Sequence, residues 1–371
     1  MKFQISKKDL LEMLTVADIA TDPLNNYGYL ITANKDNTIT IQGNSISTAS
    51  EITRYARVDE EGAINIKHPQ LKQTLNGMPN GIIEVETDKH IATFTIAKYK
   101  SKYLLADTDS FPKINKFKDG EELTLSCEEF QKEVDKTVFA IDTSKNAKAI
   151  FTGVNIHVYP EGKIRFAATN TKEMAVRETT FKGEVKEEQD FIVPGAKLNL
   201  ITRQLMNLKK DEKDPITIRC NGKKTAFIMP GVYIETNNIN GQYPDITRAF
   251  PKNLPNIIKA DTKTFLNAVR FVSPVSKETD YNTINFVFKK DTMDIQERSE
   301  EATAKTTIPI VREPESEDEF TLALKFSYIS NILSKSDDTI FMHVNPGLPI
   351  KIEQGTDKNF VCVIAPMRKK A

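Results

Sequence analysis

Phe3-Gln-Ile-Ser6-Lys-Lys-Asp9-Leu10-Leu11-Glu-Met-Leu14 stands at the start of the chain. A short alternating strand runs into a serine, an acid follows three residues later, and leucines then fall at helical spacing. Ser6 and Asp9 predict a capping box, in which the serine oxygen takes a free helix N–H and the acid reaches back to the cap. The same arrangement returns as Leu123-Thr-Leu125-Ser126-Cys-Glu-Glu129-Phe130-Gln-Lys-Glu-Val134. It returns again as Ile257-Ile-Lys-Ala-Asp261-Thr-Lys-Thr-Phe265-Leu266-Asn-Ala-Val269.

Inside each interval a second strand–helix pair recurs. Ala63-Ile-Asn-Ile66 leads into Pro69-Gln-Leu71-Lys-Gln-Thr-Leu75-Asn-Gly77, and Phe191-Ile-Val193 into Pro194-Gly-Ala-Lys-Leu198-Asn-Leu-Ile201. Phe320-Thr-Leu-Ala-Leu324 leads into Ser327-Tyr328-Ile329-Ser-Asn-Ile332-Leu333. Between the helices, segments such as Thr38–Gln42, Ile82–Thr87, Ile216–Arg219 and Ile350–Glu353 alternate as half-buried strands do. Asp109-Ser-Phe111-Pro112 is echoed by Gly241-Gln-Tyr243-Pro244-Asp245 near the close of the next interval. Two motifs recurring in one order predict an α+β protein of three repeated domains, each with two helices and antiparallel sheets. The expected boundaries are 1–121, 122–255 and 256–371.

Charge and chemistry narrow the function classes. Lys plus Arg equals Asp plus Glu at 51 each, whereas a module held on DNA by phosphate neutralisation alone carries a cationic excess. Cys127, Cys220 and Cys362 form no CxxC pair and no disulfide framework, which fits a reducing cytoplasm. The first residues carry no apolar leader, and no run of residues is long and apolar enough for a membrane span. His68, His90, His157 and His343 lack ligand-spaced neighbours, and the 15 glycines build no phosphate loop. Cys127 at a helix start could have a lowered pKa, but a small residue beside a cap is the plainer reading. No catalytic residue, cofactor or metal is expected, and an enzyme is the least favoured class.

Cations recur on all the expected helices: Lys7 and Lys8, Lys72, Lys132 and Lys136, Lys197 and Arg203, Lys263 and Arg270, Lys325 and Lys335. Each alone reads as a solvated helix face. Together on repeated elements they predict one positive surface that touches phosphates without reading bases. The acidic stretch 313–319 and the charged stretch 209–214 read as solvated loops.

Nearly the whole chain resembles the bacterial DNA polymerase III beta subunit, or sliding clamp, family. The resemblance is carried by Gly241-Gln-Tyr-Pro244-Asp245-Ile-Thr-Arg248-Ala-Phe-Pro251-Lys-Asn253 and by Val361-Cys-Val363-Ile364-Ala-Pro366-Met367-Arg368. Phe191-Ile-Val-Pro194 and Ala168-Thr169 add to it. The resemblance implies a head-to-tail ring of two chains around double-stranded DNA, independent of sequence. It also implies tethering of the replicative polymerase, the clamp loader and repair proteins through short linear motifs. The implied motif groove comprises Phe151, Thr169, Lys172, Met174, Pro244, Arg248, Tyr328, Val363, Ile364, Pro366, Met367 and Arg368. The implied dimer seam brings Phe271 and Val272 against Lys72 and Phe111. A clamp-fold scaffold that gathers partners without encircling DNA is the second class.

Two departures stand out. Where the family shows Ala-Thr-Asp-x-x-Arg-Leu-Ala, this chain has Ala168-Thr-Asn170-Thr-Lys172-Glu173-Met174-Ala175. Glu173 therefore reverses a charge expected at the groove edge. The family's basic-Pro-Ile-Leu loop is replaced by Asp22-Pro23-Leu-Asn-Asn-Tyr-Gly28. An altered partner motif and the loss of one DNA contact are the expected consequences.

Overall fold

Each of the three repeated helix starts carries the expected cap. A computed structural model describes residues 1–21, 27–68, 70–277 and 282–367. Helix α1, Lys7–Ala17, begins where Ser6 Oγ accepts the Asp9 N–H at 3.0 Å. Helix α3, Cys127–Asp135, begins where Ser126 Oγ accepts from Glu129 N at 3.2 Å. The helix Thr262–Ser276, numbered α5 in chain order, begins where Asp261 accepts from Thr264 N at 2.7 Å. One detail differs from the expected box: the Asp9 carboxylate accepts the Ser6 hydroxyl at 2.6 Å. The box therefore closes between side chains. The second helix of each pair is α2 Leu71–Asn76, α4 Gly195–Leu208 and α6 Phe326–Ser334.

The chain divides into two compact units, residues 1–131 with 181–239, and residues 132–180 with 240–371. In the first, one antiparallel sheet runs Glu121–Ser126, Pro215–Cys220, Lys224–Met229, Val232–Asn237, Thr48–Tyr55, Thr38–Asn44, Tyr29–Asn34, Gly62–Ile66. A second runs Arg57–Glu60, Lys2–Ser6, Ile82–Thr87, Ile91–Ile96, Tyr99–Leu104. Helix α1 buries Leu10, Met13 and Leu14 over the first of these sheets. Its end presses so closely on Gly43 that a Cβ there would stand 2.1 Å from the Ala17 carbonyl oxygen.

The second unit repeats the plan. One run is Gly153–Tyr159, Lys163–Thr169, Glu173–Thr180, Phe360–Ile364, Ile350–Gln354, Thr339–Val344, Asn256–Asp261, Val311–Glu313. The other is Thr303–Pro309, Thr292–Arg298, Thr283–Phe288, Phe320–Lys325. Helix α5 lays Phe265, Val269 and Val272 over this second sheet, with the Phe265 and Phe286 rings edge to face at 5.8 Å.

In each unit the third strand after one repeat's first helix pairs with the last strand of the next repeat. Thr48–Tyr55 pairs with Val232–Asn237 in the register Thr48↔Thr236 to Ile52↔Val232. Glu173–Thr180 pairs with Phe360–Ile364 in the register Glu173↔Ile364 to Arg177↔Phe360. Repeats that look separate in sequence are thus joined by continuous hydrogen-bonded sheet, which is why the compact units cut across the expected boundaries.

Candidate functional site

The groove residues named from sequence gather around the second of these seams. Strand Lys163–Thr169 turns into Glu173–Thr180 through Asn170, whose Oδ1 accepts from the N–H groups of Lys172 and Glu173 at 3.0 and 2.9 Å. Thr169 Oγ1 accepts from Thr171 N at 3.0 Å and donates to the Glu173 carbonyl at 2.7 Å. These side-chain bonds fix a turn that holds Thr171 at φ 73°. Across the seam Met174 faces Val363 and Glu173 faces Ile364. Ala365 donates its N–H to the Lys172 carbonyl at 2.8 Å, and Met367 donates to Ala323 at 2.8 Å, so the terminal strand is tied on both sides.

Tyr243 completes the wall. Its hydroxyl accepts the Thr169 N–H at 2.9 Å, and its ring meets Phe151 edge to face at 6.2 Å. Burial pushes this hydroxyl's pKa well up, so it stays protonated. Gly241, at φ 135°, lets the loop pass Ile150, whose Cγ2 would lie 2.7 Å from any Cβ there. Pro244 and Arg248 follow on the exposed side, Arg248 paired with Asp245 at 3.2 Å. On α6, Tyr328 is half-buried under the Lys325 ammonium, which lies 5.0 Å from its ring centroid. Phe151, Thr169, Met174, Val363, Ile364, Pro366, Met367 and Tyr328 therefore lie in one compact unit on adjoining strands and helix. Arg368 lies outside the described residues, as do Asp22 to Asn26 of the departing loop and Pro69.

Glu173 differs from its expectation. It is not at the groove edge but 3% exposed, with one carboxylate oxygen accepting from Asn170 Nδ2 at 2.9 Å and the other buried without a hydrogen-bond partner. Burial pushes its carboxyl up to about 7, against the smaller opposing effects of Asn170 and Lys325. Tyr243 and Glu173 are the site residues that the sequence list omitted, although both fall inside stretches singled out there.

The cations differ in exposure and in partners. Lys8, Arg203, Lys263 and Arg270 are exposed, while Lys132 and Lys335 are half-buried. Lys7 is buried: its ammonium donates to the Asn76 carbonyl at 2.8 Å and to Met78, closing the carboxyl end of α2. Lys136 is held by Asp337, Asp357 and Gln354 at 3.2, 3.0 and 3.1 Å. Lys72 pairs with Asp18, and Lys197 donates to the Ile19 carbonyl at 2.8 Å. Lys325, expected with these cations, is half-buried and lies over the Tyr328 ring.

Of the expected dimer-seam residues, Phe271 is 60% exposed, but Val272 and Phe111 are sealed in the cores of their own units. Successive helix positions are turned by about 100°, which leaves Phe271 in solvent and puts Val272 in the core. Cys127 is buried with its thiol pushed up by desolvation and then by the Asp214 charge, the reverse of an activated cysteine. Among the described residues no His, Cys, Asp and Glu cluster could hold a metal. No described helix is long and apolar enough to cross a membrane.

Residues 124–245 match the model of the DNA polymerase III beta subunit central domain, and residues 247–368 that of its C-terminal domain. The "Beta sliding clamp" of Bacillus subtilis (strain 168) is 23% identical over 387 residues, spanning 99% of this chain and all of that relative. The Staphylococcus aureus "Beta sliding clamp" is 24% identical over 277 residues, 72% of this chain and 71% of that one. Among solved structures, the Bacillus subtilis DNA polymerase sliding clamp superposes with TM-score 0.90 at 20% identity, covering all of both chains. The Pseudomonas aeruginosa sliding clamp bound to griselimycin gives TM-score 0.91 at 15% identity, again over all of both chains. The fold is that of the repeated-domain sliding clamps. The chain belongs to the DNA polymerase III beta subunit family, a family of DNA-replication sliding clamps.

Proposed function

We propose that two copies of this chain close head to tail into a ring around duplex DNA and act there as a processivity factor. The ring contacts DNA without reading its sequence, catalyses no reaction, and tethers the replicative polymerase, the clamp loader and repair proteins through the groove beside Tyr243 and Met174. In this reading the repeats are residues 1–121, 122–255 and 256–371, and the protein works in the cytoplasm. The exposed Lys8, Arg203, Lys263 and Arg270 are the leading candidates for phosphate contacts. Topology, rather than bulk charge, keeps the ring on DNA, which suits a chain of zero net charge. Confinement also raises the effective concentration of every tethered partner.

The observation that carries this reading is an unfinished pattern. Two third-strand to last-strand pairings close inside the chain, and one strand of each kind is left over. Thr303–Pro309 and Tyr99–Leu104 each end a sheet with an edge that no described strand pairs. An open edge is a template for another chain, and a head-to-tail pairing that closes makes a ring. Apolar groups are exposed beside both edges: Leu104 is 78% exposed, and Phe271 lies on α5, the helix packed against Thr303–Pro309.

Sedimentation should therefore give twice the chain mass of 41.9 kDa. Leu104→Glu and Phe271→Glu should each release folded single chains. A wild-type monomer, or a dimer indifferent to both changes, overturns the ring.

A further inference from the structure

Glu173 has no role in the fold that requires an acid. It stands where the first seam, in the same register, has Thr48, opposite Ile364 instead of Thr236. One of its oxygens is used by Asn170; the other is buried and unpartnered. The cation nearest in effect, Lys325, lies over the Tyr328 ring instead of bonding the carboxylate. Asn170, which bonds the acid, and Lys325 and Tyr328, which act on it electrostatically, are all part-exposed.

We propose that Glu173 is a specificity-determining residue of the groove, and that its free oxygen receives a lysine or arginine carried by the partner segment. The inference rests on the reading of this seam as the partner groove. An isolated buried carboxylate is costly when ionised, and a cation brought to it with a direct hydrogen bond offsets part of that cost. Neutral partners gain nothing comparable, so the acid discriminates by charge. The burial that pushes this carboxyl up to about 7 also makes the preference sensitive to pH near neutrality. The groups facing it are Lys325 at the end of strand Phe320–Lys325, Tyr328 from α6, Cys362 from the terminal strand and Asn170 from the turn, with Asp142 acting beyond Tyr328.

The test uses the full chain and positional-scanning libraries of short peptides, with each position fixed in turn as lysine, arginine, norleucine, glutamine or glutamate. Wild type should enrich lysine or arginine at one position by about tenfold over norleucine at about pH 8. That preference should shrink at about pH 5.5, where the acid is protonated. E173Q should lose both the preference and its pH dependence while still binding the norleucine series, and E173M should do the same if it folds as wild type does. Peptide binding with no basic preference, a preference for neutral donors, or a basic preference kept by E173Q overturns the role of Glu173 and leaves the groove standing. If wild type enriches no peptide from any library, the groove reading itself fails, and the inference with it.

Discussion

At the first seam the buried acid is Glu235, and both of its oxygens are used: one accepts from Lys224 at 2.6 Å and the other from the Tyr233 hydroxyl. At the second seam the buried acid is Glu173, and one oxygen has no partner. The backbone pairing is the same in both, so the difference lies in side chains alone. Where the first seam has Ile52 opposite Val232, the second has Arg177 opposite Phe360, held between Glu133 and Asp357. The acid of the first seam is satisfied from within the chain, although the Thr236 hydroxyl there is buried without a hydrogen-bond partner. The second seam combines an ion network at one end with an acid at the other that keeps one oxygen without a partner.

The largest way to break this comparison is to give the second seam the residue of the first. Arg177→Ile takes the guanidinium away from Glu133, which is fully buried, and should cost about 3–5 kcal/mol in urea denaturation. A loss below about 1 kcal/mol would mean that the network is dispensable.

Next in size is the linkage of Glu173 to pH. Its carboxyl is raised from 4.5 to about 7, so the folded state holds a proton that the unfolded chain has already released. The corresponding stability is complete below pH 4.5 and is lost as pH rises through about 7, a change of about 3 kcal/mol. Stability curves of wild type and E173Q should therefore diverge by that amount between about pH 4.5 and 8, with wild type losing ground. Parallel curves would show that the acid is not held as described.

The smallest effect sharpens the groove wall. Tyr243→Phe removes the acceptor of the Thr169 N–H and should cost about 1 kcal/mol, read from the shift in urea midpoint. It should also weaken peptide binding while leaving the dimer intact. Unchanged stability would place a water where the hydroxyl stood.

Much of this was legible in the sequence because it depends on local rules. Ser6, Ser126 and Asp261 act three residues ahead of the N–H they accept, and the paired strand–helix segments carry their own periodicity. Side-chain fate is not local in that sense. Lys7 and Lys8 are adjacent in the sequence, yet one closes α2 from inside and the other meets solvent. Phe271 and Val272 divide in the same way, since a helix turns about 100° per residue. The family pattern places a charge at the groove edge where Glu173 stands, whereas acids are rarely buried and its burial becomes visible only where its strand pairs with the terminal strand opposite Ile364. The groove was legible chiefly through resemblance, because its residues come from distant parts of the chain and meet only when the terminal strand joins the sheet.

The central claim is that topology holds this protein on DNA, and retention on closed and open DNA tests it most directly. Protein loaded by a bacterial clamp loader onto nicked circular DNA should stay bound through a high-salt wash and be released when that DNA is linearised. Equal retention on circular and linear DNA would contradict the ring, and peptide binding without any loading would leave a scaffold that gathers partners off DNA.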